Sequence, residues 1–175
     1  MRTRTQLNGR SRTGDRDART PRILCIDDDP DISRTIALRL RAYDVEVHES
    51  YRGVLGIWIA LRERPDLIIT DLGMPMGDGE LVLDLLKRKP QTAHIPVIVL
   101  SGQRGEDLPE RAHRLGAVRF LHKPVLFTEL AEELARHIPL RPRPEEHDDY
   151  GEGASNAYEE DCEAGCGTRE LSETD

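Results

Sequence analysis

The sequence predicts an α/β domain in which a doubly wound parallel sheet is built as (βα)5. Five short apolar runs (RILCI, VEVHE, DLIIT, IPVIVLS and RFLH) each precede a segment with helical spacing, and strands alternating with helices over this length imply parallel strands covered on both faces. Residues 67–69 and 97–100 are apolar throughout, the pattern of central strands buried from both sides rather than of strands with one wet face.

Taken in order, RILCI runs into Asp27, Asp28 and Asp29, and a helix is expected over 30–41. Asp29 is suited to cap it, and Pro30 fits the first helical position, where a missing N–H costs nothing. VEVHE is followed by an expected helix over 54–62, in which Trp58 of GIWIAL serves as packing or exposed contact rather than as a cofactor platform. DLIIT ends at Asp71 and opens TDLGMPMGDG. Here Met74, Pro75, Gly77 and Gly79 read as turn chemistry leading to a helix over 80–88. IPVIVLS ends at Ser101 before a helix over 108–115. RFLH leads into Lys123 and Pro124, then a helix over 127–137 whose Phe127, Leu130, Leu134 and Ile138 make one apolar face.

Composition divides the 175 residues into three parts. Residues 1–22 hold seven Arg against two Asp, and residues 141–175 hold twelve Asp or Glu against three Arg. Neither shows an apolar period able to offset the entropy of ordering. The expected organisation is therefore a disordered basic tail over 1–21, a folded domain over 22–140 and a disordered acidic tail over 141–175. With the head at +5 and the acidic end at −9, the remainder carries −4 of the formal −8, which leaves no broad basic footprint for sequence-specific DNA binding. No apolar run reaches the ~18 residues of a membrane span, and the start lacks the apolar centre of a secretory signal, so a cytoplasmic protein is expected. Cys25 reads as a small buried residue. Cys162 and Cys166 lack the second pair or nearby His that a four-ligand metal set needs.

In open parallel sheets, sites form beyond the carboxyl ends of the strands. Those ends carry residues 27–29, Asp71, Ser101 and Lys123. Alone, each has a plain reading: a helix entry, a loop hydroxyl, a surface lysine. Together on one sheet edge they favour a site. Converging carboxylates repel unless a cation sits among them, and an oxygen-only, incompletely enclosed donor set suits Mg²⁺. Gly73 leaves room above Asp71, and its carbonyl can turn toward the ion. Asp71 is placed to attack phosphorus and form an acyl phosphate. Lys123 would neutralise charge on the moving group, and Ser101 could then bond a phosphoryl oxygen.

IDDDP, TDLGMP, VIVLSG and FLHKP, in this order and spacing, resemble the receiver domain of two-component response regulators. The resemblance covers about residues 22–138. It implies a flavodoxin-like strand order 2-1-3-4-5, Asp71 as phosphoacceptor, and Asp28, Asp71 and the Gly73 carbonyl as Mg²⁺ ligands, with Asp27 helping through water. It also implies Ser101 and Phe120 as switch residues, Lys123 as the phosphate-binding lysine, Gly102 as a small residue admitting the phosphoryl group, and a cis Lys123-Pro124 bond. Phe120 reads equally as a packing aromatic. The implied partners are a histidine kinase or histidine phosphotransfer protein and a downstream effector docking on the 108–137 face. Val125 and Leu126 depart from the aromatic and the polar helix cap frequent after Lys-Pro in that family.

Rival classes fail at particular residues. A Rossmann-type oxidoreductase needs a glycine-rich loop where DDDP stands, and a P-loop enzyme needs a glycine-lysine signature. A haloacid-dehalogenase-type phosphatase needs an Asp where Gly73 stands. The alternative that remains is a receiver-like interaction module acting without phosphorylation.

Overall fold

The computed structural model describes residues 19–75 and 78–143. The expectations for the two tails, for Cys162 and Cys166 and for Gly77 lie largely or wholly outside them. Ten elements alternate: β1 Arg22–Ile26, α1 Pro30–Leu40, β2 Glu46–Ser50, α2 Gly53–Glu63, β3 Leu67–Asp71, α3 Asp78–Arg88, β4 Val97–Ser101, α4 Leu108–Arg114, β5 Arg119–His122 and α5 Phe127–Ala135. All strand pairs are parallel, in the order β2-β1-β3-β4-β5. The (βα)5 fold, its flavodoxin-like topology and its five strands are those expected.

Every residue of β3 and β4 is buried, which accounts for their unbroken apolar runs. Alternation along the strands sorts side chains into two cores. Leu24, Ile26, Ile68, Val97, Val99 and Phe120 pack with α2, α3 and α4. Ile23, Cys25, Leu67, Ile69, Ile98, Leu100 and Leu121 pack with α1 and α5. Each fully buried Leu or Ile contributes about 1.5–3 kcal/mol, so these two layers hold the strand ends in place. Burial pushes the Cys25 thiol up to about 12, helped by the charges of Asp27 and Glu49. It therefore stays a neutral core residue.

Local chemistry explains the helix boundaries. Asp29 caps α1, its carboxylate accepting the Asp31 N–H at 2.9 Å with Pro30 in the first turn. Leu126 at the start of α5 offers no side-chain cap, so that helix depends on its buried Leu130 and Leu134. It ends at Ala135 rather than near 137, because the Arg136 and His137 amides fall back on the carbonyls three residues earlier, at 3.3 and 3.0 Å. Beyond α5, residues 141–143 run antiparallel to the α1–β2 connection: Asp44 N–H donates to the Arg141 carbonyl and Arg143 N–H to that of Ala42, both at 2.8 Å.

One expectation is corrected. Gly79 is not a turn residue; it lies in the first turn of α3, which begins at Asp78. A Cβ there would stand 2.6 Å from the Asp71 carbonyl oxygen and would also collide with Leu72 Cα. The glycine permits a close backbone approach rather than a special dihedral, and the helix start is thereby pressed against the end of β3.

Candidate phosphoacceptor site

Because the sheet is parallel, β1, β3, β4 and β5 deliver their last residues to one edge. Asp71 closes β3, Ser101 closes β4, and Asp27 and Lys123 follow β1 and β5 directly. Carboxylate oxygens of Asp27, Asp28 and Asp71 all lie within 4.8 Å of one another. Lys123 Nζ is 2.6 Å from Asp27 Oδ2 and 3.2 Å from Asp71 Oδ2. These groups, with Gly73 and Gly102, line an open cleft of about 400 Å³. Asp27 and Asp71 are buried at its base and Asp28 is exposed at its rim.

Backbone groups hold the acids in place. Gly73 N–H donates to Asp71 Oδ1 at 2.9 Å and Asp29 N–H to Asp27 Oδ1 at 3.0 Å. A Cβ on Gly73 would lie 3.2 Å from Asp71 Oδ2, tighter than side chains normally tolerate, whereas a Cβ on Gly102 would meet nothing within 4 Å. One glycine clears the Asp71 carboxylate and the other leaves the cleft open. Ser101 is fully buried, its Oγ accepting the Gln103 N–H at 3.2 Å. Phe120 stands apart from the cleft. It is buried in the same cluster as Leu108 and Ala112 of α4, with its ring edge-on to His122 at 4.9 Å. The Lys123-Pro124 bond is cis.

The electrostatics show a site short of positive charge. Burial raises the Asp27 pKa, and the bonds from Lys123 and the Asp29 amide only partly oppose it. Burial alone would lower Lys123, but Asp27 and Asp71 outweigh it and hold the ammonium above its usual range. Asp27 and Asp71 thus share a single ammonium, and Asp28 adds a third carboxylate beside them. Such a set fits a hard divalent cation with oxygen ligands. The Asp27–Lys123 pairing, across 96 residues of sequence, is the feature of the site that sequence reasoning missed, since no local pattern signals it.

The profile of the response regulator receiver domain family matches residues 23–135. This chain belongs to that family. Receiver domains are phosphoacceptor modules of two-component signalling. The chain is 38% identical over 118 residues to the DNA-binding dual master transcriptional regulator RpaA of Synechocystis, covering 66% of this chain and 47% of that protein; it thus spans about half the length of that relative. Among solved structures, the fold matches chemotaxis protein CheY4 of Vibrio cholerae with a TM-score of 0.64 at 24% identity, over 68% of this chain and 99% of that one. It also matches the Mn(2+)-bound form of response regulator Rcp1, with a TM-score of 0.56 at 27% identity, over 65% of this chain and 88% of that one. Among the described residues, no helix is long and apolar enough to cross a membrane.

Asp28 offers a test of the charge balance. It adds repulsion to the acidic pair without touching Lys123, and like charges about 4 Å apart in water cost about 1 kcal/mol. Asp28→Asn is therefore expected to stabilise the protein by about that amount in EDTA; Mg²⁺ is expected to raise the wild-type melting temperature, and the variant to lose most of that rise. Thermal melts of both proteins in each condition check this. An unstabilised variant with an intact Mg²⁺ response removes Asp28 from the ion site.

Proposed function

We propose that this chain is a single-domain response regulator that takes a phosphoryl group from a histidine kinase or histidine phosphotransfer protein onto Asp71 and signals, in the cytosol, through phosphorylation-dependent protein binding. The observation that carries this reading is the placement of the Asp71 carboxylate in an open cleft, 3.2 Å from Lys123 Nζ and clustered with Asp27 and Asp28.

An Asp71 oxygen forms the new O–P bond as the donor's N–P bond breaks. The electron pair stays on the imidazole nitrogen, which takes up a proton from water, and the product is an acyl phosphate. Lys123 orients the phosphoryl oxygens and offsets their charge. Asp28, Asp71 and the Gly73 carbonyl would hold Mg²⁺, with Asp27 helping through water, and the chemistry such an ion would supply is positive charge against the transferred group. Ser101 Oγ, now engaged by the Gln103 N–H, exchanges that bond for one to a phosphoryl oxygen. The shift of its loop is passed to Phe120 and the α4–β5–α5 face over 108–137, where the effector docks without direct contact between this chain and specific DNA. By composition, residues 1–21 are basic and residues 141–175 acidic. The chemistry is confined to the protein's own phosphorylation and dephosphorylation.

The test is intact-mass measurement of the full chain after incubation with acetyl phosphate and Mg²⁺. One phosphoryl group is expected, removable by hydroxylamine as an acyl phosphate must be. It should be absent in EDTA and absent from a folded Asp71→Asn variant. A folded wild type that takes up nothing favours the interaction module that never uses this cleft.

A further inference from the structure

The outer face of α2 is apolar where a surface helix is ordinarily polar. At about 100° per residue, Val54, Trp58, Arg62 and Leu55 fall within one arc, opposite the buried Gly56, Ile57 and Ala60. Val54 is 75% exposed, Trp58 53% and Leu55 47%, and Tyr51, just before the helix, is 42% exposed. These four make up half of the exposed large hydrophobic side chains among the described residues, gathered in eight positions. Such a cluster on an otherwise polar surface marks an interaction site. At its amino end the stripe enters a groove formed by Tyr51, Val54, Met74 and Pro75, of about 490 Å³, which reaches Asp28 at the rim of the phosphoacceptor cleft.

Charge identifies the occupant. Arg52 lies at the start of α2 and lines the groove. Arg62 lies over the Trp58 ring at 5.2 Å, and Arg64 follows the helix. The first turn of α2 has no acidic residue, and Arg62, though paired with Glu63 at 3.2 Å, is 65% exposed and leaves donors open to a partner's carboxylate. The stripe is thus apolar along its length with arginines at both ends. We infer that the outer face of α2 docks an amphipathic helix of a partner protein, one whose apolar stripe is edged by carboxylates. A second copy of this chain, pairing α2 with α2, would set arginine against arginine under two-fold symmetry. A flat anionic membrane would meet the arginines but leave the concave end between Tyr51, Val54, Met74 and Pro75 unfilled. A helix with acidic edges fills the concave end and pairs with the arginines, satisfying both terms.

The chain's single tryptophan is Trp58, so intrinsic emission reports occupancy directly. The probe is a synthetic helical peptide with Leu at i, i+3, i+4 and i+7 and Glu along both edges, titrated into the full chain. A matched peptide has Lys in place of Glu. A saturable blue shift is expected with the Glu-edged peptide only. Val54→Glu, on a side chain that contributes little to the core, is expected to weaken it at least about tenfold. The double variant Arg52→Glu, Arg62→Glu is expected to prefer the Lys-edged peptide. Equal responses to both peptides, no response to either, or a blue shift produced by vesicles of phosphatidylglycerol but not by the Glu-edged peptide would overturn the inference. Because neither peptide carries a phosphoryl donor, these outcomes stand whether or not Asp71 is phosphorylated.

Discussion

Lys123→Met is expected to slow phosphoryl uptake from acetyl phosphate by about 100-fold and to lower the stability of the metal-free protein by about 2 kcal/mol. The kinetic figure is what removal of one preorganised charge donor usually costs. The stability figure follows from burial. The Lys123 side chain is 14% exposed and those of Asp27 and Asp71 are 7% and 8% exposed. Breaking a fully buried pair costs about 3–5 kcal/mol, and the open cleft lets water recover part of that. The two effects separate experimentally. Saturating Mg²⁺ is expected to restore most of the lost stability, since a dication offsets the same carboxylates, but not the rate, since Met cannot bond a phosphoryl oxygen. Urea melts in EDTA and in Mg²⁺, together with labelling time courses, check both. An unchanged metal-free stability would mean that the 2.6 Å contact with Asp27 does not hold the cluster together.

The sheet was legible because β3 and β4 are buried on both faces, and a strand in that environment has no reason to carry polar residues before its end. That logic made the polar residues that end the strands conspicuous; Thr70, buried within β3 with its hydroxyl donating to the Asp71 carbonyl, is the exception. Asp27, Asp71, Ser101 and Lys123 are the points where buried strands meet the open edge, and parallel pairing does the rest. What the sequence could not show depends on distances between backbones or across the chain. Nothing local distinguishes Gly79, where a side chain would strike β3, from a glycine selected for a turn. Nothing local makes Asp27 the nearest partner of Lys123. The place of Phe120 beneath α4 follows from β5 being an edge strand with one face on α4. The outward stripe of α2 was only partly legible: Trp58 reads as packing or exposed contact, and which of the two holds is decided once the opposite face of the helix supplies Gly56, Ile57 and Ala60 to the core.

Gly79→Ala should be the most destabilising single-methyl change near the site, and the argument sets two effects against each other. Alanine in a helix is worth about 1 kcal/mol over glycine, and Gly79 shows no positive φ to forfeit. By propensity alone the variant would be stabilised. Against that, the new Cβ would overlap Leu72 Cα and lie 2.6 Å from the Asp71 carbonyl oxygen. Both are backbone atoms, unable to rotate away as a side-chain tip can. Overpacking against movable side chains costs about 1–3 kcal/mol; against backbone the upper end applies, leaving a net loss of about 2 kcal/mol or more. Urea denaturation should show a lower midpoint with an unchanged slope. Gly102→Ala is the control. Its Cβ would meet nothing within 4 Å, so its midpoint should stay within about 0.5 kcal/mol of wild type. Relief of the Gly79 clash also has a direction. The start of α3 must move off the end of β3, taking the Asp71 backbone with it, so phosphoryl uptake falls in a variant whose acidic side chains are all intact. A Gly79→Ala protein as stable as wild type would show that the helix start gives way freely and that the position of Asp71 does not depend on it.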